Sequence, residues 1–180
     1  LNTVGIEYDT NFVKILQKKT GLNIFYREDF IEKFKNEKFD IIHLGHILEH
    51  LPNPQEPLDF LKKYSHKDTL IIIDGPIENN VCLSRIIINL FSKIRKRPFN
   101  EFSPQHLSFT TYDSQIIFFK SIGLETIKYI AAEQFWPLPE RINSFLDFPK
   151  YILALSSIYL SKLFIKQGNI FHYMGKYGNN

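Results

Sequence analysis

Residues 39–54, FDIIHLGHILEHLPNP, run an apolar stretch directly into a cluster of histidine and glutamate that Pro54 closes. A strand that is apolar on nearly every residue belongs inside a parallel sheet with both faces covered, so the chain must supply helices to cover it. TLIIID at residues 69–74 repeats the design, uniformly apolar before a terminal acid. In open α/β sheets the ligand crevice lies outside the carboxyl ends of the strands, so a polar cluster there is placed for chemistry rather than for packing.

The remaining elements fit that frame. Residues 3–7 predict a strand ending in Glu7, with Asp9, Thr10 or Asn11 as cap of a helix that runs through Phe12, Ile15 and Leu16 to Gly21. Residues 23–26 predict a second strand, 29–38 a short helix or turn, and 39–45 the third strand. A helix opening at Pro54 or Gln55 precedes the strand at 69–74. This alternation argues a doubly wound α/β sheet. The character then changes to a helical stretch at 77–94, a basic run of Lys93, Arg95, Lys96 and Arg97, and a loop with Pro98 and Pro104, read as an insertion. Residues 111–122 predict a helix ending at Gly123, 124–132 a strand, 139–165 mostly helix and 169–176 a last strand. The final two strands are placed to pair antiparallel.

A chain of 180 residues with a net charge of +3 and charges of both signs spread along it predicts one domain and no nucleic-acid binding. The single cysteine, Cys82, excludes an intramolecular disulfide and a multi-cysteine zinc site. A reducing, cytoplasmic setting is the expectation, with neither a secretory leader nor an apolar run long enough to span a bilayer. The chain enters a strand almost at once, which leads us to expect further sequence upstream.

Phe39, Asp40, His46, Leu48, Glu49, His50, Leu51 and Pro54 resemble the segment after the fourth strand of class I S-adenosylmethionine-dependent methyltransferases of the small-molecule type (methyltransferase domain 11/23-like), with Asn53 where that family usually has an acid. PQHLSFTTYDSQIIFFKSIGL at residues 104–124 resembles a second family segment in the right order. The resemblance implies an α/β, Rossmann-like methyltransferase sheet of strand order 3, 2, 1, 4, 5, 7, 6 with an antiparallel last strand. It also implies a single domain over 1–180, incomplete at the N-terminus, with helical insertions or a lid at 77–105 and 139–166, after the fifth and sixth family strands. The family's first strand and its GxGxG turn have no counterpart here, and no GxGxG occurs anywhere in the chain.

For the site, the resemblance implies S-adenosylmethionine as cofactor. Glu7 would accept from the ribose hydroxyls, Asp29 would meet the adenine amine while Phe30 covers the ring, and Gly45 and His46 would lie under the methionine end. Glu7 also reads as a surface acid beside a helix start, and Asp29 as a helix cap. The catalytic candidates are His50 and His106, either of which suits removal of a proton from a hydroxyl acceptor near neutral pH, with Glu49 as orienting partner. Asp74 and Glu78 are read as lining the acceptor pocket or as a strand end and a first-turn acid. His43, His46 and His50 lack cysteine or acidic ligands at matching spacing, so no metal is expected, and His43 is read as a packed strand residue.

The partner expected is a small-molecule acceptor, with oxygen methylation of a sugar, glycan or quinone-like hydroxyl first, since the NPPY-type motif used on amides and exocyclic amines is absent. The basic run allows a phosphate on that acceptor, an anionic membrane surface or a solvated loop. Residues 151–165, with Ala154, Ser157 and Ser161 as a small-residue stripe, predict a helix buried in the core, in a homodimer contact or against a membrane surface. A non-catalytic remnant acting as scaffold or partner subunit is the rival reading, and a dehydrogenase half-domain would leave both segments without a role.

Overall fold

The computed structural model describes residues 2–82, 86, 106–133, 147–161, 163 and 166–178. The basic run at 93–97, most of the expected insertion at 77–105 and the aromatic segment at 135–137 lie outside the described residues. The chain divides into two compact units, Leu1–Lys38 and Phe39–Asn180.

The first unit is strand, helix, strand, helix: β1 (Val4–Glu7), α1 (Thr10–Thr20), β2 (Asn23–Tyr26) and α2 (Arg27–Lys33). Asp9 caps α1 by accepting from the amides of Asn11 and Phe12, and the helix stops at Gly21, whose φ of 68° is left-handed. β1 and β2 pair in parallel from Val4 opposite Asn23 to Glu7 opposite Tyr26. Gln17 ties α1 to β2 by donating to the Ile24 carbonyl at 2.6 Å. The core is Val13 and Phe30, with the Phe30 and Phe34 rings 4.9 Å apart.

The second unit holds β3 (Phe39–Gly45), a 3-10 turn (Leu48–His50), α3 (Gln55–Lys62), β4 (Ser65–Pro76), α4 (Tyr112–Ser121), β5 (Leu124–Ala132), α5 (Asp147–Ser161) and β6 (Ile170–Tyr177). Its sheet order is β3, β4, β6, β5, with β3 and β4 parallel and β6 antiparallel to both neighbours. Each ladder agrees with part of the expected order, β1 beside β2 and then β3, β4, β6, β5 with the last strand in sequence lying between β4 and β5. The sheet is an α/β sheet of Rossmann type with an antiparallel last strand, as expected.

Ile71 and Ile73 of β4 are 0% and 1% exposed, and they join Ile42, Leu44, Leu58, Phe119, Phe171 and Tyr173 in the core. The Phe119 ring lies 4.2 Å from that of Tyr173. Tyr177 of β6 donates to the Leu58 carbonyl of α3 at 2.6 Å, and Tyr129 of β5 donates to Gln115 of α4 at 2.5 Å. β3 departs from expectation. Ile42 and Leu44 are buried but Ile41 is 54% exposed, so only one face of this strand is covered. β4 starts before its apolar core: Ser65 pairs with Phe39, and the register then shifts so that Ile41 stands opposite Leu70. No described helix is long and apolar enough to cross a membrane.

Two outcomes follow from this packing. Phe119→Ala removes a fully buried ring between α4 and β6 and is expected to lower the unfolding free energy by about 3–5 kcal/mol, read by denaturant titration of the circular dichroism signal. Burial raises the phenol pKa of Tyr129, Tyr173 and Tyr177 above the ordinary value. An unfolded phenol ionises near pH ~10, so the stability these groups contribute is fully present below that pH and falls as pH rises beyond it, because the unfolded chain releases its protons first. Tyr129→Phe or Tyr177→Phe is expected to flatten that alkaline loss in urea titrations repeated across pH, at the cost of one hydrogen bond each.

Candidate functional site

The polar cluster lies at the carboxyl ends of β3 and β4. Gly45, the last residue of β3, pairs with Asp74 of β4, and the next amide, His46, donates to the Asp74 carbonyl at 2.8 Å. His46 turns the chain out of the strand with φ 52°, the one non-glycine residue among those described with positive φ. A left-handed residue with a Cβ carries strain that is commonest at functional turns. A Cβ on Gly45 would stand 3.1 Å from the His43 ring and 3.4 Å from the Asp74 carboxylate, so a side chain here requires the His43 ring to give by a few tenths of an ångström.

Around that turn the side chains form a chain of imidazoles and carboxylates. His43 Nε2 lies 2.5 Å from Asp74 Oδ1, and His46 reaches Asp74 at 3.8 Å and Glu49 at 3.4 Å. The 3-10 turn carries Glu49 inward, where it is 6% exposed, and its Oε1 accepts no hydrogen bond. Room for this carboxylate comes from Gly75, where a Cβ would meet Glu49 Oε2 at 3.2 Å. His50 Nε2 stands 3.9 Å from Glu49 Oε1.

The second family-like segment arrives at the same place. Leu107 and Ser108 donate their amides to the Glu49 carbonyl at 2.7 and 3.2 Å, which locks the two segments together through the backbone. His106 is thereby set against His50 with ring centroids 4.8 Å apart at 67°. His106 Nδ1 lies 2.6 Å from Glu78 Oε1, and both side chains are largely buried at 16% and 12% exposure. A carboxylate at that distance holds the proton on Nδ1 and leaves Nε2 with its lone pair. Below the site, buried Asn80 donates to the carbonyls of Lys166 and Gly168 and accepts from the Tyr112 amide, fixing the start of α4.

The structure therefore brings His46, Glu49, His50 and His106 together, with Gly45 beneath. Within the first unit, Glu7 ends β1 and its Oε1 accepts from the amides of Tyr8 and Asp9 at 2.7 and 3.1 Å. Asp29 lies at the same end of that ladder, inside the first turn of α2, whose cap is Tyr26, so Asp29 is not the helix cap. Phe30 is 2% exposed and packs on Phe34, so its ring is core in this arrangement rather than an open platform. His43 corrects its reading as a packed residue. Its side chain is 56% exposed and bridges to Asp74, because it sits on the uncovered face of β3. The sequence missed Glu78 as the partner of His106; the only available signal was an acid soon after a strand end.

Residues 1–73 match the model of a family described as "Methyltransferase domain". The chain has the class I methyltransferase fold. The chain is similar in structure to an S-adenosylmethionine-dependent methyltransferase of Archaeoglobus fulgidus at 17% identity and TM-score 0.51, covering 96% of this chain and 75% of that one. It is similar to a protein of Thermotoga maritima described as a possible histamine N-methyltransferase, at 14% identity and TM-score 0.60, covering 97% and 72%. It is also similar to the [4+2]-cyclase SpnF at 10% identity and TM-score 0.59, covering 98% and 67%. Among curated proteins, none matches the chain.

The left-handed turn gives a test that separates folding from binding. His46→Gly is expected to raise stability by about 1 kcal/mol, since glycine adopts this conformation without strain. If the imidazole serves a ligand, the same variant binds that ligand more weakly, so thermal unfolding and calorimetry on one variant move in opposite directions.

Proposed function

We propose that this chain is a methyltransferase that uses S-adenosylmethionine to methylate a hydroxyl of a small molecule, of the sugar, glycan or quinone-like kind. The observation that carries the proposal is the meeting of His50 and His106. They come from the two family-like segments, and the Glu78 contact leaves His106 Nε2 ready to take a proton. Bound S-adenosylmethionine supplies an electrophilic methyl group on a sulfonium.

The residues of the chain do the rest. Glu7 keeps one carboxylate oxygen on the amides of Tyr8 and Asp9, and the other oxygen is assigned to the ribose diol. Asp29 is assigned to the adenine amine, and Gly45 with the His46 turn to the methionine end. Phe30 would serve the adenine only from beneath, as the packed support of α2. His106 would take the acceptor proton at Nε2, and Glu78 would stabilise the imidazolium that results. His50 and Glu49 hold the acceptor in line, which is the larger part of the catalysis such a displacement needs.

A second reading has its own observation. A protein that shares this fold is a [4+2]-cyclase, so the fold alone does not fix methyl transfer. In that reading the chain is a non-catalytic scaffold or partner subunit.

Calorimetry with S-adenosylhomocysteine, on this chain and on its full reading frame, separates the two. Binding that weakens at least tenfold in Glu7→Ala is expected, together with loss of methyl transfer but retained binding in His106→Asn. No binding by either form would leave only the scaffold reading.

A further inference from the structure

Glu49, His50 and His106 each offer one ligand atom, and these atoms all lie within 4.8 Å of one another. We propose that this trio is a binding site for a divalent transition-metal ion of the zinc type, with Glu49 Oε1, His50 Nε2 and His106 Nε2 as ligands.

Three independent features point to a cation. Glu49 is 6% exposed and its Oε1 accepts no hydrogen bond, having only the His46 and His50 imidazoles near it at 3.4 and 3.9 Å, so a buried carboxylate stands without the full compensation that burial demands. A metal ion supplies that missing charge. His106 already carries the outer partner that metal-binding imidazoles use, since Glu78 holds its Nδ1 at 2.6 Å and leaves Nε2 as the ligand atom. Finally, two imidazoles and one carboxylate make the ligand set of an open zinc site, in which a water or substrate takes the fourth position. His50 is 38% exposed on its side chain, which provides the path by which an ion and that fourth ligand enter.

The distances are close to what binding needs. Ligand atoms at ~2.1 Å from a tetrahedral ion are ~3.4 Å apart, and Glu49 Oε1 to His50 Nε2 is 3.9 Å. All the ligand atoms lie within 4.8 Å of one another, so small side-chain rotations of Glu49 and His50 bring them to that spacing while Glu78 holds His106. The ligand chemistry favours zinc over magnesium, which prefers oxygen ligands and keeps its waters. The only thiol, Cys82, is 2% exposed and offers no competing site. The trio differs from a set of His43, His46 and His50, because His43 is held by Asp74 instead.

Where the methyltransferase reading holds, on which this role rests, an acceptor hydroxyl in the open position would be made more acidic by the ion, and the two histidines would act as ligands rather than as bases. Metal binding itself does not depend on that reading, and its test uses no methyl donor.

Zn²⁺ is titrated into the chain by calorimetry, with circular dichroism confirming that each variant is folded. One ion per chain is expected. Glu49→Gln and His106→Asn should each weaken binding at least tenfold, and the exposed His50→Asn does the same without disturbing the interior. Glu78→Gln should weaken it by about 10–100-fold by releasing His106. His66→Asn, at the far end of β4, should leave it unchanged. Absence of binding, affinity as in the unmodified chain for His50→Asn or Glu49→Gln, or loss of the bound ion in His66→Asn would each overturn the site. A zinc site that persists while S-adenosylhomocysteine fails to bind would retain the metal inference and remove the methyltransferase one.

Discussion

The pairing of β3 with β4 underlies everything at the site. Gly45 opposite Asp74 brings two strand ends level, and the His46 amide bonded to the Asp74 carbonyl turns the chain immediately afterwards. His46, Glu49 and His50 hang from that turn or the few residues that follow it, and Asp74, Glu78 and His106 meet them from β4, from the residues after it and from the second segment. β4 can carry this load because Ile71 and Ile73 are shut into the core while β6 closes its other edge. Burial of that kind is worth roughly 1.5–3 kcal/mol for each large aliphatic side chain, which is ample to hold one strained left-handed residue in place.

The cluster is an electrostatic arrangement of carboxylates turned inward and imidazoles turned partly outward. Glu49 enters because Gly75 leaves space, and Glu78 is covered by the segment that brings His106. Carboxylates in such positions need compensation, whether from hydrogen bonds, a proton on a neighbouring imidazole or a cation. The same groups could therefore serve proton transfer or ion binding. Their positions are fixed from both sides, by backbone bonds from Leu107 and Ser108 to Glu49 and by the Asn80 clamp below.

Much of the fold was legible along the chain. The Asp9 cap, the stop at Gly21, the strands at 4–7, 23–26 and 39–45 and the helix closed by Gly123 carry local signals whose physics needs no tertiary contact. The order of the second ladder followed from resemblance, and the antiparallel last pair from the spacing of elements. What misled was apolar composition. Ile41 and His43 sit in a strand that reads as fully buried, yet they occupy an open face, because composition reports what a strand could bury and not what covers it.

The sequence by itself determined the strands, the helix boundaries and the parallel pairing of β3 with β4, because those features rest on residue type and short spacing, while the resemblance of two segments, together with the chemistry of histidine, singled out His50 and His106. Only the tertiary structure decided that His50 and His106 touch, that Glu78 and not Glu49 orients His106, and that Glu49 is shut away from water. These are contacts between segments far apart in the chain. No local pattern encodes them, since they exist only once β3 and β4 have paired and the second segment has bonded to the Glu49 carbonyl.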